Sequence, residues 1–317
     1  AVISESVHSF SGRGRTPAFE KKLKSLLLEE KDKFGYDKMK NGSYKHYTPD
    51  HYQFGYQMAA YARGVYGNKI FDDALKKISG KPYLINPFNY SLRENDGLTK
   101  RELYNLTMDY LAVNWAKDDN LLEKSSFGYL NPGKAGEYIN YYSPVVAGND
   151  SIIAIKTSLY APPQFVLITG YGNKEQKLLT PGYNWPYRLS FAKNIITWAE
   201  TRTDPRWDNR GYSVIKTYNL VTKEIITLTQ KSRLFSPSVS PDGRFIVASE
   251  SSVSYKNSLV ILDRFTGNEI LRVATPGNEL AIYPRWSDNN EEIIFISLTD
   301  NGEGIMIYNI SSDSWEK

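Results

Sequence analysis

The feature that most constrains the fold is a repeated motif in the second half of the chain. Each copy has a proline, a few residues, a small polar turn and then an apolar strand. The motif occurs four times, and its prolines are separated by 42, 51 and 47 residues. A repeat of about 40 to 50 residues whose units consist only of strands is typical of β-propeller blades. The four prolines are Pro144, Pro186, Pro237 and Pro284.

The rest of each unit agrees with a propeller blade. Further strand-like segments follow the apolar strand, and Gly, Asn, Thr and Asp lie where hairpin turns need them. We expect the apolar strands to occupy equivalent positions in successive blades; they are Ile152–Ile155, Ile195–Trp198, Phe245–Ala248 and Ile293–Ile296. The predicted blades are 141–183, 184–233, 234–280 and 281–317. The fourth is expected to be incomplete, as part of a longer array, because the sequence ends where its last strand should begin.

The first part of the chain has a helical period instead. Segments 16–30, 48–67, 68–80 and 98–119 carry apolar residues at helical spacing, with Thr16 and Thr48 as N-terminal signals. Thr99 and Glu102 have the spacing of a capping box. The sequence therefore predicts an α+β multidomain fold, with a helical part over 1–125, a linker over 126–140 and a partial all-β propeller of about four blades over 141–317. The opening residues resemble the middle of a helix, so we expect the chain to be part of a longer protein.

Composition excludes several functional classes. The chain has no cysteine, which excludes disulfides, thiolate catalysis and cysteine-based zinc sites. Its net charge is +4, and no basic stripe interleaved with aromatic residues appears, which argues against nucleic-acid binding. No apolar run approaches the roughly 18 residues of a membrane span.

Catalytic motifs are also missing from the sequence. It contains neither the G-x-S-x-G motif of serine hydrolases nor a phosphate-binding loop. The G-x-G of "SGRGRTP" (11–17) is a poor dinucleotide loop, because Pro17 stands where a third small residue is needed. The three histidines, His8, His46 and His51, include no i, i+4 pair, so the chain has no H-E-x-x-H zinc site.

Taken in order, the motifs resemble one protein family. They are similar to large secreted bacterial proteins, common in Bacteroidetes-type genomes, that join a gluzincin (peptidase MA-like) metallopeptidase domain to a propeller of the TolB and WD40-like group. The segments that carry the resemblance are "SGRGRTPAFE", "GSYKHYTPDHYQFGYQMAAYARGVYG", "DPRWDNRGYSVIKTYNL", "SPSVSPDGRFIVASE", "NSLVILDRFTG" and "YPRWSDNNEEIIF".

The resemblance implies a zinc site whose ligands lie outside this chain, because "AVISES" resembles what directly follows the third ligand. It also implies that Tyr52, in Tyr52-Gln53-Phe54-Gly55, donates a hydrogen bond to the oxyanion of peptide hydrolysis. Glu5 is expected behind the zinc ligands. The alternative for Tyr52 is packing in a core, where its hydroxyl would be buried and bonded to a backbone carbonyl.

Two functional hypotheses remain open. In the first, the intact protein is a secreted or periplasmic zinc metallopeptidase that hydrolyses peptide bonds, with the propeller binding substrate or partners, and this chain alone is inactive. In the second, the protein is a non-catalytic propeller module or envelope scaffold that binds proteins or peptides. Tight zinc binding by this chain is not expected, because three scattered histidines do not assemble a site.

Overall fold

The chain folds into two compact units, Ala1–Gly128 and Tyr129–Lys317. The computed structural model describes residues 2–9, 12–29, 34–123, 125–130, 137–170, 174–184, 186–300 and 302–316. Within these ranges no helix has the length and apolar character needed to cross a bilayer. The first unit is helical and the second consists mostly of strands, as predicted.

The first unit is built from helices and one short 3-10 turn in its described residues. The 3-10 turn, Arg13–Arg15, follows the first helix. The helices are α1 (Val2–His8), α2 (Pro17–Glu29), α3 (Tyr36–Asn41), α4 (His51–Tyr66), α5 (Lys69–Gly80), α6 (Pro87–Asp96) and α7 (Lys100–Leu121).

Helix starts follow side-chain capping, and one of them corrects the sequence prediction. Thr99 and Glu102 form the predicted capping box at α7. Helix α4 begins later than predicted, and its N-cap is Asp50 rather than Thr48. A single Asp50 carboxylate oxygen accepts from the backbone N–H of Tyr52 (2.9 Å) and of Gln53 (3.0 Å). It therefore satisfies two of the donors that a helix N-terminus leaves unpaired.

The cores of the helical unit lie between α7 and the other helices. The apolar residues of α7 that face inward are buried against α2 and α4, which bury one stripe each. One cluster contains Leu23, Leu26, Met39, Phe54, Tyr104, Met108, Leu111 and Trp115, and a second contains Ala62, Ile70, Leu92 and Leu103.

The described residues of the second unit form four antiparallel sheets of four strands, each in the order of the sequence. Such consecutive four-stranded meanders have the architecture of propeller blades. Blade 1 contains β1 (Ile139–Gly148), β2 (Ser151–Ser158), β3 (Gln164–Thr169) and β4 (Lys174–Leu179), and blade 2 contains β5 (Ser190–Ala192), β6 (Ile195–Thr203), β7 (Gly211–Asn219) and β8 (Ile225–Thr227). Blade 3 contains β9 (Leu234–Val239), β10 (Phe245–Ser251), β11 (Asn257–Asp263) and β12 (Glu269–Ala274), and blade 4 contains β13 (Leu280–Trp286), β14 (Glu292–Thr299), β15 (Gly302–Asn309) and β16 (Ser314–Glu316).

The predicted equivalence of the four apolar strands is confirmed, since each begins or lies within the second strand of its sheet: β2, β6, β10 and β14. Two details differ from the prediction. Strand β1 begins at Ile139, inside the segment predicted as linker. Blade 4 has its fourth strand, Ser314–Glu316, which pairs with β15 through Tyr308 and Trp315. The few residues after the Asp313 turn are enough to form this short strand.

The repeated prolines of blades 1, 3 and 4 coincide with an irregularity in the first strand of each blade. In β1, β9 and β13 a β-bulge interrupts the pairing at the proline. The residue before each proline has a positive φ: 46° at Ser143, 51° at Ser236 and 55° at Tyr283. In blade 2 the residue with the matching positive φ is Tyr187 (49°). It follows Pro186, whereas in the other three blades the residue with the positive φ precedes the proline. A bulge turns the strand and redirects the side chains after it.

Neighbouring blades bury their faces against each other. In β10 the side chains of Ile246 and Ala248 pack towards blade 2, whereas Val247 packs towards blade 4. Both faces of the strand are therefore covered, which explains its continuous apolar run. The first strands β1, β5, β9 and β13 contact one another in sequence, so they form the inner strands of this fan of blades.

Candidate functional site

The structure brings Glu5 and Tyr52 to the same place in the helical unit, through Arg13. The Arg13 guanidinium donates from Nε to one Glu5 carboxylate oxygen (2.8 Å) and from Nη2 to the other (2.6 Å). The same guanidinium carbon lies 5.8 Å from the centre of the Tyr52 ring. The ring of His51 packs against Tyr52 with centroids 4.4 Å apart. We call Glu5, Arg13, His51 and Tyr52 the Tyr52 cluster.

Two glycines of the "SGRGR" segment allow this contact. A β-carbon on Gly12 would lie 2.5 Å from the backbone of Glu5, and one on Gly14 would lie 2.2 Å from the Tyr56 ring. The Gly14 N–H donates to the hydroxyl of Ser6 (3.1 Å). The glycines therefore serve close packing of the 3-10 turn on α1 and α4, and this accounts for a G-x-G pattern that resembled a nucleotide loop only weakly.

Tyr52 does not have the environment expected of a core tyrosine. Its side chain is 49% exposed. Tyr104 in the same unit does have that environment, because it is 3% exposed and its hydroxyl donates to the carbonyl of Phe34 (2.7 Å). Burial raises the pKa of Tyr104 to about 12. The comparison places the Tyr52 ring at the surface beside the segment around Glu5.

Helix α4 presents a second face to an apolar cleft of about 270 Å³. Gly55 and Ala59 line this cleft, and a side chain on Gly55 would meet nothing within 4 Å. His51 lines the cleft and also contacts Tyr52, so it stands between the two faces. The other lining residues are Tyr36, Lys40, Phe54, Met58, Phe71, Phe88, Lys100 and Leu103.

The residues present do not fit a zinc site. Within the ranges described above, no three His, Asp or Glu side chains gather in a group able to hold a metal ion. Glu5 is engaged by Arg13, which lowers the pKa of its carboxyl group through a hydrogen bond. We therefore assign no chemical step in this chain to zinc.

The propeller unit contains a concavity of about 420 Å³ where its inner strands meet, which we call the inner-strand cavity. Val145, Ser238 and Arg285, each directly after a bulge proline, line it together with Ser190 of blade 2. The bulges of β1, β9 and β13, and the positive-φ residue Tyr187 of blade 2, bring side chains of distant sequence position towards one point. The remaining lining residues are Phe191, Ala192, Val239, Pro241, Trp286 and Asp288.

Hydrogen bonds between blades fix the floor of this cavity. The hydroxyls of Ser190 and Ser238 lie 3.3 Å apart, and Ser190 also accepts from the backbone N–H of Val239 (3.2 Å). The Trp286 indole N–H donates to the carbonyl of Ser238 (3.0 Å). Blades 2, 3 and 4 are thus tied together at the cavity, which gives it a defined shape.

Two charged side chains, Arg285 and Asp288, line the cavity. Arg285 lines it, and its pKa is lowered by desolvation and then by the nearby charge of Arg188. Arg285 is exposed to solvent within the cavity. Arg188 lies over the ring of Tyr283, with its guanidinium carbon 4.2 Å from the ring centre. Asp288 also lines the cavity but forms no ion pair within 4.0 Å among the described residues.

Sequence reasoning missed the inner-strand cavity. Arg188 and Arg285 belong to different blades, and neither lies in a recognised motif. The sequence signal was their position relative to the repeated prolines. Arg285 directly follows Pro284, and Arg188 occupies the position that a proline has in the other three blades.

Comparisons with solved structures give TolB proteins and a protease propeller domain, at TM-scores below 0.5. Similar solved structures include a putative TolB from Agrobacterium tumefaciens (12% identity, TM-score 0.41, 57% of this chain and 80% of that chain). The propeller domain of the Trilobed protease from Pyrococcus furiosus matches at 16% identity and TM-score 0.31 over 41% of this chain, and the tricorn protease at 10% and 0.42 over 56%.

The chain spans 40% of that propeller domain and 22% of the tricorn protease. No protein-family model matches the sequence, and none of the curated proteins is similar to it. At these identities and TM-scores the similar structures carry no argument about ligand or activity. The fold assignment rests on the four meander sheets themselves, and function has to be argued from the two candidate sites.

Proposed function

We propose that the propeller unit is a binding module for peptides or proteins and that the inner-strand cavity is its ligand site. The observation that carries the proposal is a single concavity lined by residues of all four blades, in three of which the lining residue directly follows a bulge proline. A volume of about 420 Å³ is within the usual range of ligand pockets. The hydrogen-bonded floor supports it further, because a site with a fixed shape loses less entropy on binding.

Blocking the cavity tests this proposal. Asp288 is an exposed residue of the cavity wall, so Asp288→Trp should fill the entrance without disturbing a core. The matched control is Asp208→Trp in the loop between β6 and β7, which lies at the other end of the strands. Immobilised protein is incubated with a mixture of octapeptides, and retained peptides are measured by mass spectrometry. Retention should fall in Asp288→Trp only; equal retention by both variants, or none by the unmodified protein, contradicts the proposal.

We also propose a second function, peptide hydrolysis by the intact, secreted or periplasmic protein with zinc ligands outside this chain. The exposure of Tyr52 beside Glu5 and Arg13 supports it. A phenol hydroxyl at the surface of a rigid helix is able to donate a hydrogen bond to a developing oxyanion without carrying charge. Glu5 would then act as a positioning residue, holding Arg13 next to the Tyr52 ring.

The test uses the form of the protein that contains the predicted zinc ligands. Loss of one oxyanion donor typically lowers turnover about a hundred- to a thousandfold, so Tyr52→Phe should lower kcat by this factor with little change in KM. Tyr83→Phe is the matched control, because Tyr83 is a highly exposed tyrosine of the same unit. Full activity of a folded Tyr52→Phe variant, or no hydrolysis by the unmodified protein, would contradict the catalytic role of Tyr52.

A further inference from the structure

Arg285 differs from the other arginines of the propeller unit. In the described part of this unit, every other arginine has a hydrogen bond, an ion pair or a ring contact, whereas Arg285 has none. The partnered arginines are Arg188, Arg202, Arg206, Arg210, Arg233, Arg244, Arg264 and Arg272.

Arg285 is exposed to solvent in the cavity, so its guanidinium is accessible to a ligand. Arg188 adds a second positive charge nearby, and both desolvation and this charge lower the pKa of Arg285. Although Asp288 also lines the cavity, no carboxylate of the described residues lies within ion-pair distance of Arg285. An anionic group bound in the cavity would supply the missing partner.

The lining of the cavity favours a carboxylate over a phosphate. A guanidinium group presents parallel N–H donors that match the two oxygens of a carboxylate. A phosphate group has three strong acceptor oxygens and requires more donors. The hydroxyls of Ser190 and Ser238 already take part in the hydrogen bonds of the floor. The walls formed by Val145, Phe191 and Trp286 are suited to the apolar part of a peptide.

We propose that Arg285, assisted by Arg188, binds a carboxylate of the peptide ligand, either its free C-terminus or the side chain of an acidic residue. This inference rests on the proposed function of the inner-strand cavity as a peptide site and names the group that the cavity recognises. Arg285 makes the direct contact, and Arg188, held over Tyr283, increases the attraction.

The experiment compares three octapeptide mixtures on the immobilised chain. The first has free C-termini and no acidic residue, the second has amidated C-termini and one glutamate, and the third has amidated C-termini and no acidic residue. We expect one or both carboxylate-bearing mixtures to be retained at least about tenfold more than the third, and which of them is retained identifies the source of the carboxylate.

Variants assign the preference to the arginine. Arg285→Met should abolish it, Arg285→Lys should keep part of it, and Arg188→Met should reduce it. Arg206→Met removes the same charge from the loop between β6 and β7 and should leave the preference unchanged. Because Arg285 contacts no described partner, its replacement should not lower the unfolding midpoint, which is checked by circular dichroism.

The outcomes separate this inference from the function on which it rests. Equal retention of all three mixtures, with loss of retention in Asp288→Trp, would overturn carboxylate recognition and leave the peptide site standing. An unchanged preference in Arg285→Met would also overturn the inference, because the carboxylate would bind elsewhere. If no mixture is retained, the peptide-binding module itself is wrong, and the inference falls with it.

Discussion

Each unit has an arginine at its candidate site, and the two arginines are held in opposite ways. Arg13 in the helical unit forms two hydrogen bonds to Glu5, which raise its pKa. The pKa of Arg285 in the propeller is lowered by desolvation and by Arg188. Arg13 has its hydrogen-bond partner, Glu5, within its own unit and contacts the ring of Tyr52. Arg285 is left for a ligand, so the difference separates a positioning contact from a recognition contact.

The carboxylates of the two units differ in burial: Glu5 and Glu200 both have cationic partners, but only Glu200 lies in the interior. Glu5 is exposed and has Arg13 as its ion-pair partner. Glu200 is 1% exposed and accepts hydrogen bonds from the Trp198 indole (2.9 Å) and the Gly182 N–H (2.9 Å), with Lys216 at 3.0 Å. Burial by itself raises the pKa of Glu200, but the hydrogen bonds from Trp198, Gly182 and Lys216 outweigh it and hold this pKa below its usual value.

The largest effect is expected from Glu200→Ala. The change leaves Lys216 and two N–H donors unpaired in the interior, and breaking a buried pair in this way costs about 3–5 kcal/mol. Urea unfolding followed by tryptophan fluorescence measures it, since Trp198, Trp207, Trp286 and Trp315 all lie in the propeller unit. The double variant Glu200→Met/Lys216→Met should be more stable than the single variant. A single variant as stable as the unmodified protein would contradict the assignment.

In the helical unit the largest effect is expected from Gly14→Ala. The new methyl group would overlap the Tyr56 ring and the Ser6 hydroxyl, and overpacking of this kind costs up to about 3 kcal/mol. Gly64 in α4 is the matched control, because a β-carbon there meets nothing. Gly64→Ala should stabilise the helix by about 0.5–1 kcal/mol. Thermal unfolding followed by far-ultraviolet circular dichroism compares them, and equal midpoints would argue against the close packing.

A smaller effect is expected at acidic pH, where the contribution of Asp242 to the folding stability of the propeller unit should be lost. Burial by itself raises the pKa of Asp242, but hydrogen bonds from the Ser240 hydroxyl and from Arg244 lower it to about 2. Because the folded pKa lies below the usual 3.8, this stabilisation is complete above about pH 4 and is lost as the pH falls towards 2. It amounts to about 2 kcal/mol. The stability difference between the protein and Asp242→Asn should shrink over that range; a constant difference would contradict it.

The smallest effect is expected from Glu5→Gln. Its ion pair with Arg13 is exposed, and exposed pairs contribute little to stability. The unfolding midpoint of the helical unit should therefore stay the same, even though the substitution releases Arg13 from its position beside Tyr52. A clear loss of stability would mean that the Tyr52 cluster is part of the structural core and not a site at its surface.

Local and repeated signals predicted most of the fold. The Thr99–Glu102 capping box was recognised because all its atoms lie within one turn of helix. Helix α6 was missed, although Pro87 starts it and Gly97 ends it in the left-handed conformation, because the helix is short. Helix α3 has no side-chain cap and depends on the burial of Met39, which a local pattern does not reveal.

The sites were less accessible to sequence reasoning. Resemblance pointed to Glu5 and Tyr52, but not to Arg13, whose position depends on the fit of Gly12 and Gly14 against α1. The inner-strand cavity depends on contacts between strands that are tens of residues apart in sequence. The proline rhythm indicated the repeat, yet the positive φ values that redirect the inner side chains are properties of the folded strands.

The meander order of the sheets has a consequence for the folding kinetics of the propeller. Among the described residues, each strand pairs only with the strands immediately before and after it in its sheet, so each sheet closes its hydrogen bonds over short connections. The entropy cost of loop closure grows with loop length, and pairing of sequence neighbours keeps this cost low. Blade 3, for example, is completed within Leu234–Ala274. During synthesis each blade therefore has its full set of partner strands before the next one emerges, and assembly proceeds as growth from one sheet to its neighbour.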